Sequence, residues 1–169
     1  GIKPDYPEAY SNLGNILRDL GKLKDAELST RKAIEIKPNY AEAYSNLGSI
    51  LRDLGKLKDA ELSTRKAIEI KPDFAEAYSN LGNILSDLGK LKDAELSTRK
   101  AIGIKPDYPE AYSNLGNILR DLGKLKDAEL FTRKAIEIKP DFAEAYSNLG
   151  NILRDLSKLK DAELSTRKA

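Results

Sequence analysis

The chain has 169 residues, 33% of them charged, and its 29 Lys and Arg against 27 Asp and Glu leave a net charge of +2. A dedicated nucleic-acid binder usually carries a basic stripe, whereas here the two signs alternate throughout the chain. His and Cys are absent, so disulfides and thiolate sites are excluded and neither a metal site nor a cofactor is expected. No apolar run reaches the roughly 18 residues of a membrane span, and a cytoplasmic location is the default expectation.

An internal repeat organises the whole chain. The motif Ala-Tyr-Ser-Asn-Leu-Gly begins at Ala9, Ala43, Ala77, Ala111 and Ala145, always 34 residues apart. A period of this length is typical of arrays whose units bury their apolar faces against one another. We therefore expect one array over residues 1–169, preceded by the tail of another repeat. The predicted boundaries are 1–6 for the tail and 7–40, 41–74, 75–108, 109–142 and a truncated 143–169 for the repeats.

Each repeat predicts two helices, and the second repeat illustrates them. Apolar residues recur at helical spacing over Ala41–Leu54, and Gly55 follows, where a helix commonly ends in a left-handed residue. A second amphipathic stretch covers Lys58–Lys71 and closes at Pro72, which supplies no N–H group. The repeat is therefore predicted to be a helix–turn–helix hairpin.

Smaller signals refine the helix boundaries. Asp73 and Glu76 predict a capping box for the next helix, with Asp73 at the N-cap. Pro7 and Pro109 are expected in the first turns of their helices, where a missing N–H is tolerated. A glycine within the first helix of every repeat, such as Gly48, indicates close approach of the paired helix, because Gly in a helix costs about 1 kcal/mol relative to Ala.

These residues resemble the tetratricopeptide repeat (TPR) family. The family's loose signature of an aromatic residue, Leu-Gly, Ala, Ala and Pro is matched here by Tyr44, Leu47, Gly48, Ala60, Ala67 and Pro72. The resemblance implies an all-α fold, a right-handed α-solenoid of stacked 34-residue hairpins. Leu51 and Thr64 replace larger family residues. The sequence of the repeats is particularly similar to that of the superhelical TPR array of O-linked N-acetylglucosamine transferase and to those of cyanobacterial TPR arrays.

Three polar rows are predicted on the side of the first helices that faces away from the packing stripe. In stacked hairpins these helices line the concave side. The first row is Asn12, Asn46, Asn80, Asn114 and Asn148. The second row is Asn15, Ser49, Asn83, Asn117 and Asn151. The third row is Arg18, Arg52, Ser86, Arg120 and Arg154. Asn is a mediocre helix former, so its repeated use in helix interiors needs a reason.

One interpretation is that these rows bind the backbone of an extended peptide, because an amide offers two donors and an acceptor. In the transferase family that the chain resembles, the Asn row has this role. We therefore expect a non-catalytic scaffold that binds a peptide or a partner protein. The alternative is a structural spacer or self-assembling rod without a specific ligand, in which Asn provides only a polar, uncharged wall. A chaperone-type carboxylate clamp is not expected, because serines stand where it needs lysines.

Other function classes are disfavoured by the same residues. Catalytic groups need a unique cleft, whereas the carboxylates recur in every repeat, so neither an enzyme nor a catalytic residue is expected. The Glu61 and Arg65 spacing instead predicts an i,i+4 ion pair. Pentatricopeptide-type arrays read RNA bases with hairpin side chains, but the exact period, the Pro72 ending and the balanced charge argue against that class and against a nucleic-acid partner. A membrane partner is not expected either, because no apolar run is long enough to span a membrane.

Two further expectations concern surfaces. Leu28, Leu62, Leu96, Leu130 and Leu164 form a row on the second helices; we expect partial burial between neighbouring hairpins, with a lateral contact surface as the alternative. The last second helix, which stops at Ala169, is expected to expose its stripe and to cause head-to-tail self-association. Scattered departures among the repeats, including Ser86, Gly103, Phe131 and Ser157, are interpreted as drift.

Overall fold

A computed structural model describes the backbone of residues 6–168 and the side chains of residues 6–159. Within that backbone range the chain forms nine α-helices and no strand. They are α1 (Pro7–Asp19), α2 (Leu23–Ile36), α3 (Ala41–Asp53), α4 (Leu57–Ile70), α5 (Ala75–Asp87), α6 (Leu91–Ile104), α7 (Pro109–Asp121), α8 (Leu125–Ile138) and α9 (Ala143–Lys168). The predicted all-α, helical-repeat fold is confirmed.

The helices belong to two compact units, Gly1–Lys90 (unit 1) and Leu91–Ala169 (unit 2). In unit 1, α1 pairs with α2 and α3 with α4, while α5 packs against α3 and α4. In unit 2, α7 pairs with α8, α6 packs against α7, and α9 packs against both α7 and α8. The division of the chain into one array of five repeats stays a prediction from the period.

The turns within the hairpins depend on glycine. Gly55 has φ of +73°, and Gly21, Gly89 and Gly123 adopt the same left-handed conformation. The N–H of Gly55 donates to the carbonyl of Arg52 at 2.9 Å, and the N–H of Lys56 donates to that of Leu51 at 2.8 Å. This pair of bonds is a Schellman motif, which satisfies the last carbonyls of the helix. The prediction that glycine ends each first helix holds at these four turns.

The predicted capping box before α5 is wrong. The N-cap residue is Phe74 rather than Asp73, and no side chain caps the helix. Phe74 is buried in a cluster with Ala41, Ala67 and Ala77. The helix therefore starts one residue later than the polar signal indicates, and α3 likewise starts after an aromatic residue, Tyr40. The proline prediction is confirmed, since α1 and α7 begin at their prolines.

Gly48 lies where the two helices of a hairpin make their closest approach. A Cβ atom added to Gly48 would overlap Oγ1 of Thr64 and lie 3.3 Å from the carbonyl oxygen of Ala60. Thr64 is fully buried, and its hydroxyl donates to that same carbonyl at 2.9 Å. Gly14 and Gly116 face equivalent threonines. The close-approach interpretation is confirmed at these three positions.

The last repeat departs from the predicted hairpin. Residues 143–168 form one continuous helix, α9, with Ser157 standing where the other turns have glycine. Without glycine the left-handed turn costs about 1–2 kcal/mol, so the helix continues through this position. As a result, Gly150 has nothing within 4 Å of an added Cβ. Leu153 is 40% exposed, whereas the equivalent Leu51 is 1% exposed.

This helix also removes the premise of the predicted head-to-tail association. That prediction required a separate second helix in the last repeat, folded back to present its stripe, and α9 has no such helix. Self-association therefore stays a prediction without structural support. The side chain of Leu164, the last member of the predicted leucine row, lies outside the described side chains.

Candidate functional site

Each unit has its own first-helix face, formed by α1, α3 and α5 in unit 1 and by α7 and α9 in unit 2, and the predicted polar rows lie on these faces. In α3 the apolar positions Leu47, Ile50 and Leu51 are buried in the core. Asn46 and Ser49 on the other side are half-buried. Helical periodicity therefore separates a packing side from a polar side, as the sequence predicts.

The Asn row is hydrogen-bonded to the preceding repeat. Nδ2 of Asn46 donates to Oγ of Ser11 at 3.0 Å, and Nδ2 of Asn80 donates to Oγ of Ser45 at 3.0 Å. In unit 2, Asn148 makes the same 3.0 Å bond to a serine of α7. The serines accepting these bonds are buried. Each bond uses one N–H of the amide and fixes the orientation of the whole group.

The Arg row is also engaged between repeats. Arg18 donates to the carboxylate of Asp53 at 2.5 Å, and Arg52 makes the same 2.5 Å bond to Asp87. In unit 2 the corresponding bond from Arg120 reaches an aspartate of α9 at 2.7 Å. Both partners of each pair remain about one-third exposed. These pairs make the face locally neutral, which sequence reasoning missed because the aspartates belong to the next repeat.

The second row lies between the other two. Asn15, Ser49, Asn83, Asn117 and Asn151 are half-buried. Asn151 accepts a 2.7 Å bond from Arg154, the last arginine of the third row. Asn12 in the first row is exposed. The first-helix face of each unit therefore carries side-chain amides, some of them fixed by bonds to buried serines, beside Arg–Asp ion pairs.

The second helices carry a different pattern of charge. The carboxylate of Glu61 accepts from Arg65 at 2.8 Å, which confirms the predicted i,i+4 pair, and from Lys90 of the next turn at 2.8 Å. The pKa of Glu61 is lowered chiefly by the Lys90 hydrogen bond, against the opposing effect of burial, with Arg65 lowering it further. Glu27 and Glu95 have the same two kinds of partner. These three-residue groups connect successive repeats.

The expected burial of the leucine row is wrong. Leu28, Leu62 and Leu96 are each 68% exposed, and Leu130 is 64% exposed. No rotation of the second helices covers them, because Glu61 already occupies the half-buried position beside the neighbouring repeat. The described leucines are single apolar side chains on a charged surface.

The described residues also bear on metal binding and on membrane spanning. No group of three or more His, Cys, Asp and Glu side chains within those residues is arranged to hold a metal ion. Across the same part of the chain, every helix is too short or too polar to span a lipid bilayer.

Comparison with models of known protein families identifies the family of the repeat. The model of the TPR repeat matches residues 14–55, 48–89 and 82–123, and two models of the tetratricopeptide repeat match residues 109–142 and 131–163. The chain belongs to the tetratricopeptide repeat family. None of the curated proteins compared with the chain matches it.

Solved TPR structures have the same fold. The MamA protein is 28% identical with a TM-score of 0.71, covering 96% of this chain and 88% of its own. A thermophilic TPR protein of Thermus thermophilus is 24% identical with a TM-score of 0.81, covering 89% of this chain and 83% of its own. YrrB, a TPR protein with an unusual peptide-binding site, is 24% identical with a TM-score of 0.66, covering 90% and 79%. TPR proteins are generally non-catalytic, and membership supports a general role as a protein-interaction scaffold.

Proposed function

We propose that this TPR protein binds an extended peptide segment of a partner protein on the first-helix face of a unit. The observation that carries the proposal is the set of amides held by Asn–Ser hydrogen bonds. The bond from Asn46 to Ser11 uses one N–H of this amide, so its second N–H and its carbonyl oxygen remain to pair with a ligand. An extended peptide presents both carbonyl and N–H groups that such an amide can pair with.

The hydrogen bonds to buried serines strengthen this proposal. A surface amide that must be ordered on binding loses rotamer freedom, at about 0.5–1.5 kcal/mol for each side chain. Asn46 and Asn80 are already ordered in the free protein, so that cost is largely removed. Packed helices are about 8–10 Å apart, and an extended chain advances about 3.3 Å per residue. One amide would therefore meet roughly every third residue of a peptide along the face.

The ion pairs indicate what the peptide should be. Because Arg18 and Arg52 are paired with aspartates, the face does not present a row of uncompensated positive charges. Recognition would depend on the peptide backbone more than on acidic side chains. YrrB shares the fold and has a peptide-binding site, which is a precedent for peptide binding by this architecture.

The alternative is a structural spacer. It is favoured by the same bonds, since Asn46 to Ser11 and Arg18 to Asp53 connect successive repeats without any ligand. In that case the rows would recur through the chain for rigidity alone. The two functions differ in one measurable property, which is the ability to bind a peptide.

The test uses a phage-displayed library of random 12-residue peptides selected on the whole chain. The most enriched peptide is then synthesised with a fluorescent label and titrated by anisotropy. The variant Asn15→Ala/Asn83→Ala changes the second row without removing an Asn–Ser bond, and Lys58→Ala/Lys92→Ala on exposed second-helix positions is the control. We expect at least tenfold weaker binding for the first variant and unchanged binding for the control. A selection without binders would overturn the proposal in favour of the spacer, and undiminished binding by the Asn variant would exclude the second row from the site.

A further inference from the structure

A cavity of about 350 Å³ lies in unit 1 where α2, α3 and α4 meet. Its lining residues are Arg31, Ile34, Glu35, Tyr44, Leu47 and Ser63. Leu47 is buried, and Ile34 and Tyr44 are half-buried. Glu35 pairs with Lys32 at 2.9 Å and its side chain is 70% exposed, so its carboxylate lies largely in solvent. The cavity therefore combines an apolar floor, an aromatic wall and a guanidinium group.

In unit 2 the position that corresponds to this cavity is occupied by an aromatic ring. The residues two repeats further along the chain are Arg99, Ile102, Gly103, Tyr112, Leu115 and Phe131. Four of the six residue types are unchanged, and the serine is replaced by phenylalanine. The Phe131 ring stacks on Tyr112 with centroids 6.2 Å apart and 24° between planes. The guanidinium carbon of Arg99 lies 4.9 Å from the centroid of the same ring.

The remaining contacts of Phe131 complete the comparison. The ring packs against a core cluster that contains Leu115, beside Ile102. Arg99 is held by Glu95 at 3.0 Å, and in unit 1 Arg31 is held by Glu27 at 2.8 Å. Arg31 is thus held by a glutamate one helical turn away, as Arg99 is where it lies over the Phe131 ring. Unit 1 keeps the arginine, isoleucine, tyrosine and leucine of these surroundings, with Ser63 in place of the ring and Glu35 in place of Gly103.

We propose that the Ser63 cavity is a binding site for an aromatic side chain presented by a partner protein. Stacking on Tyr44, a cation–π contact with Arg31 and burial against Leu47 and Ile34 supply the affinity. The cavity opens to solvent, and its volume of about 350 Å³ has room for a phenylalanine, tyrosine or tryptophan side chain inserted from outside. This site is lined by α2, α3 and α4, and none of its lining residues belongs to the polar rows of the first-helix face.

The probe is N-acetyl-L-phenylalaninamide, titrated into the ¹⁵N-labelled whole chain and followed by NMR. We expect saturable shifts at the backbone amides of Arg31, Tyr44 and Ser63, with a dissociation constant of about 1 mM, as a ligand of this size allows. N-acetyl-L-leucinamide should shift the same amides at least fivefold less at equal concentration. Equal shifts with the leucine analogue, or no saturation, would overturn the proposal. Tighter binding of free L-phenylalanine, which carries charged termini, would overturn its assignment to a protein side chain.

Two variants test the comparison between the units. Ser63→Phe should fill the cavity as Phe131 fills its counterpart, abolish the shifts and raise the melting temperature. Phe131→Ser should open a second cavity, so that shifts also appear at Tyr112 and Arg99. If Ser63→Phe fails to fold or still binds the probe, the two places are not equivalent and the proposal is wrong. Ser63→Thr is the control that should keep binding within twofold.

Discussion

Replacing Gly48 with alanine tests how closely the two helices of a hairpin approach each other, through its effect on the free energy of unfolding. Removing a glycine from a helix interior gains about 1 kcal/mol through helix propensity alone. Against that gain, the added Cβ overlaps Oγ1 of Thr64 and meets the carbonyl oxygen of Ala60 at 3.3 Å. Thr64 is β-branched and its hydroxyl is bonded to that carbonyl at 2.9 Å, so it cannot rotate away without losing the bond.

The magnitude follows from these opposing effects. Overpacking a well-filled contact costs about 1–3 kcal/mol, and losing a hydrogen bond costs about 0.5–1.5 kcal/mol. After the propensity gain we expect Gly48→Ala to lower the free energy of unfolding by about 2 kcal/mol. The assay is urea denaturation of the whole chain followed by circular dichroism.

Two matched glycines provide controls within the same chain. Gly103 and Gly150 both lie in helices and have nothing within 4 Å of an added Cβ. Alanine at either position should therefore raise the free energy of unfolding by about 1 kcal/mol. Gly150 occupies the same place in its repeat as Gly48, so the sign of its effect depends only on whether α9 continues straight. A loss of stability at Gly150→Ala would show that the last repeat folds back as a hairpin.

A double-mutant cycle isolates the clash itself. Thr64→Ala removes the atom that the new Cβ would meet, so Gly48→Ala should become nearly neutral in that background. If Gly48→Ala destabilises equally with and without Thr64, the close approach is not the cause and the reasoning is refuted.

Three further predictions concern single side chains. The pKa of Glu61 is lowered mainly by Lys90 and then by Arg65. Its ionised carboxylate therefore stabilises the fold above the unfolded pKa, and this contribution is lost as the pH falls through the folded pKa, below about 4.5. Glu61→Gln should flatten the acid side of a curve of unfolding free energy against pH, and an unchanged slope would contradict this. Ser157→Gly should restore the left-handed turn and break α9, seen as changed ¹³Cα shifts at that residue, whereas shifts that stay helical would show that glycine is not the determinant. Leu62→Gln should change the free energy of unfolding by less than about 0.5 kcal/mol, since the side chain is 68% exposed, and a larger loss would mean that the leucine row is packed.

The repeat, the hairpins and their glycine turns can be read from the amino-acid sequence alone. These features depend on local periodicity and on backbone preferences of single residues, and both are present within one repeat. The positions of the polar rows on one face follow for the same reason. Gly55 at the turn and Gly48 at the helix crossing are examples in which residue type alone indicated the geometry.

Packing between helices determines which groups those residues meet. Asn80 bonds to Ser45 and Arg52 to Asp87 across repeats, so two rows expected to face only a ligand also hold the stack together. Phe74, whose ring packs into a core cluster, is the N-cap residue of α5 in place of the polar Asp73.

Two departures expected to be drift have structural consequences. Phe131 fills a cavity that is open in unit 1, and Ser157 turns a predicted hairpin into a single helix. The repeat pattern predicts neither effect. The effect of Phe131 depends on the side chains that neighbouring helices place against its ring, and the effect of Ser157 depends on whether a left-handed turn can form. Local preferences are thus encoded residue by residue, whereas contacts between repeats arise only once the helices are packed.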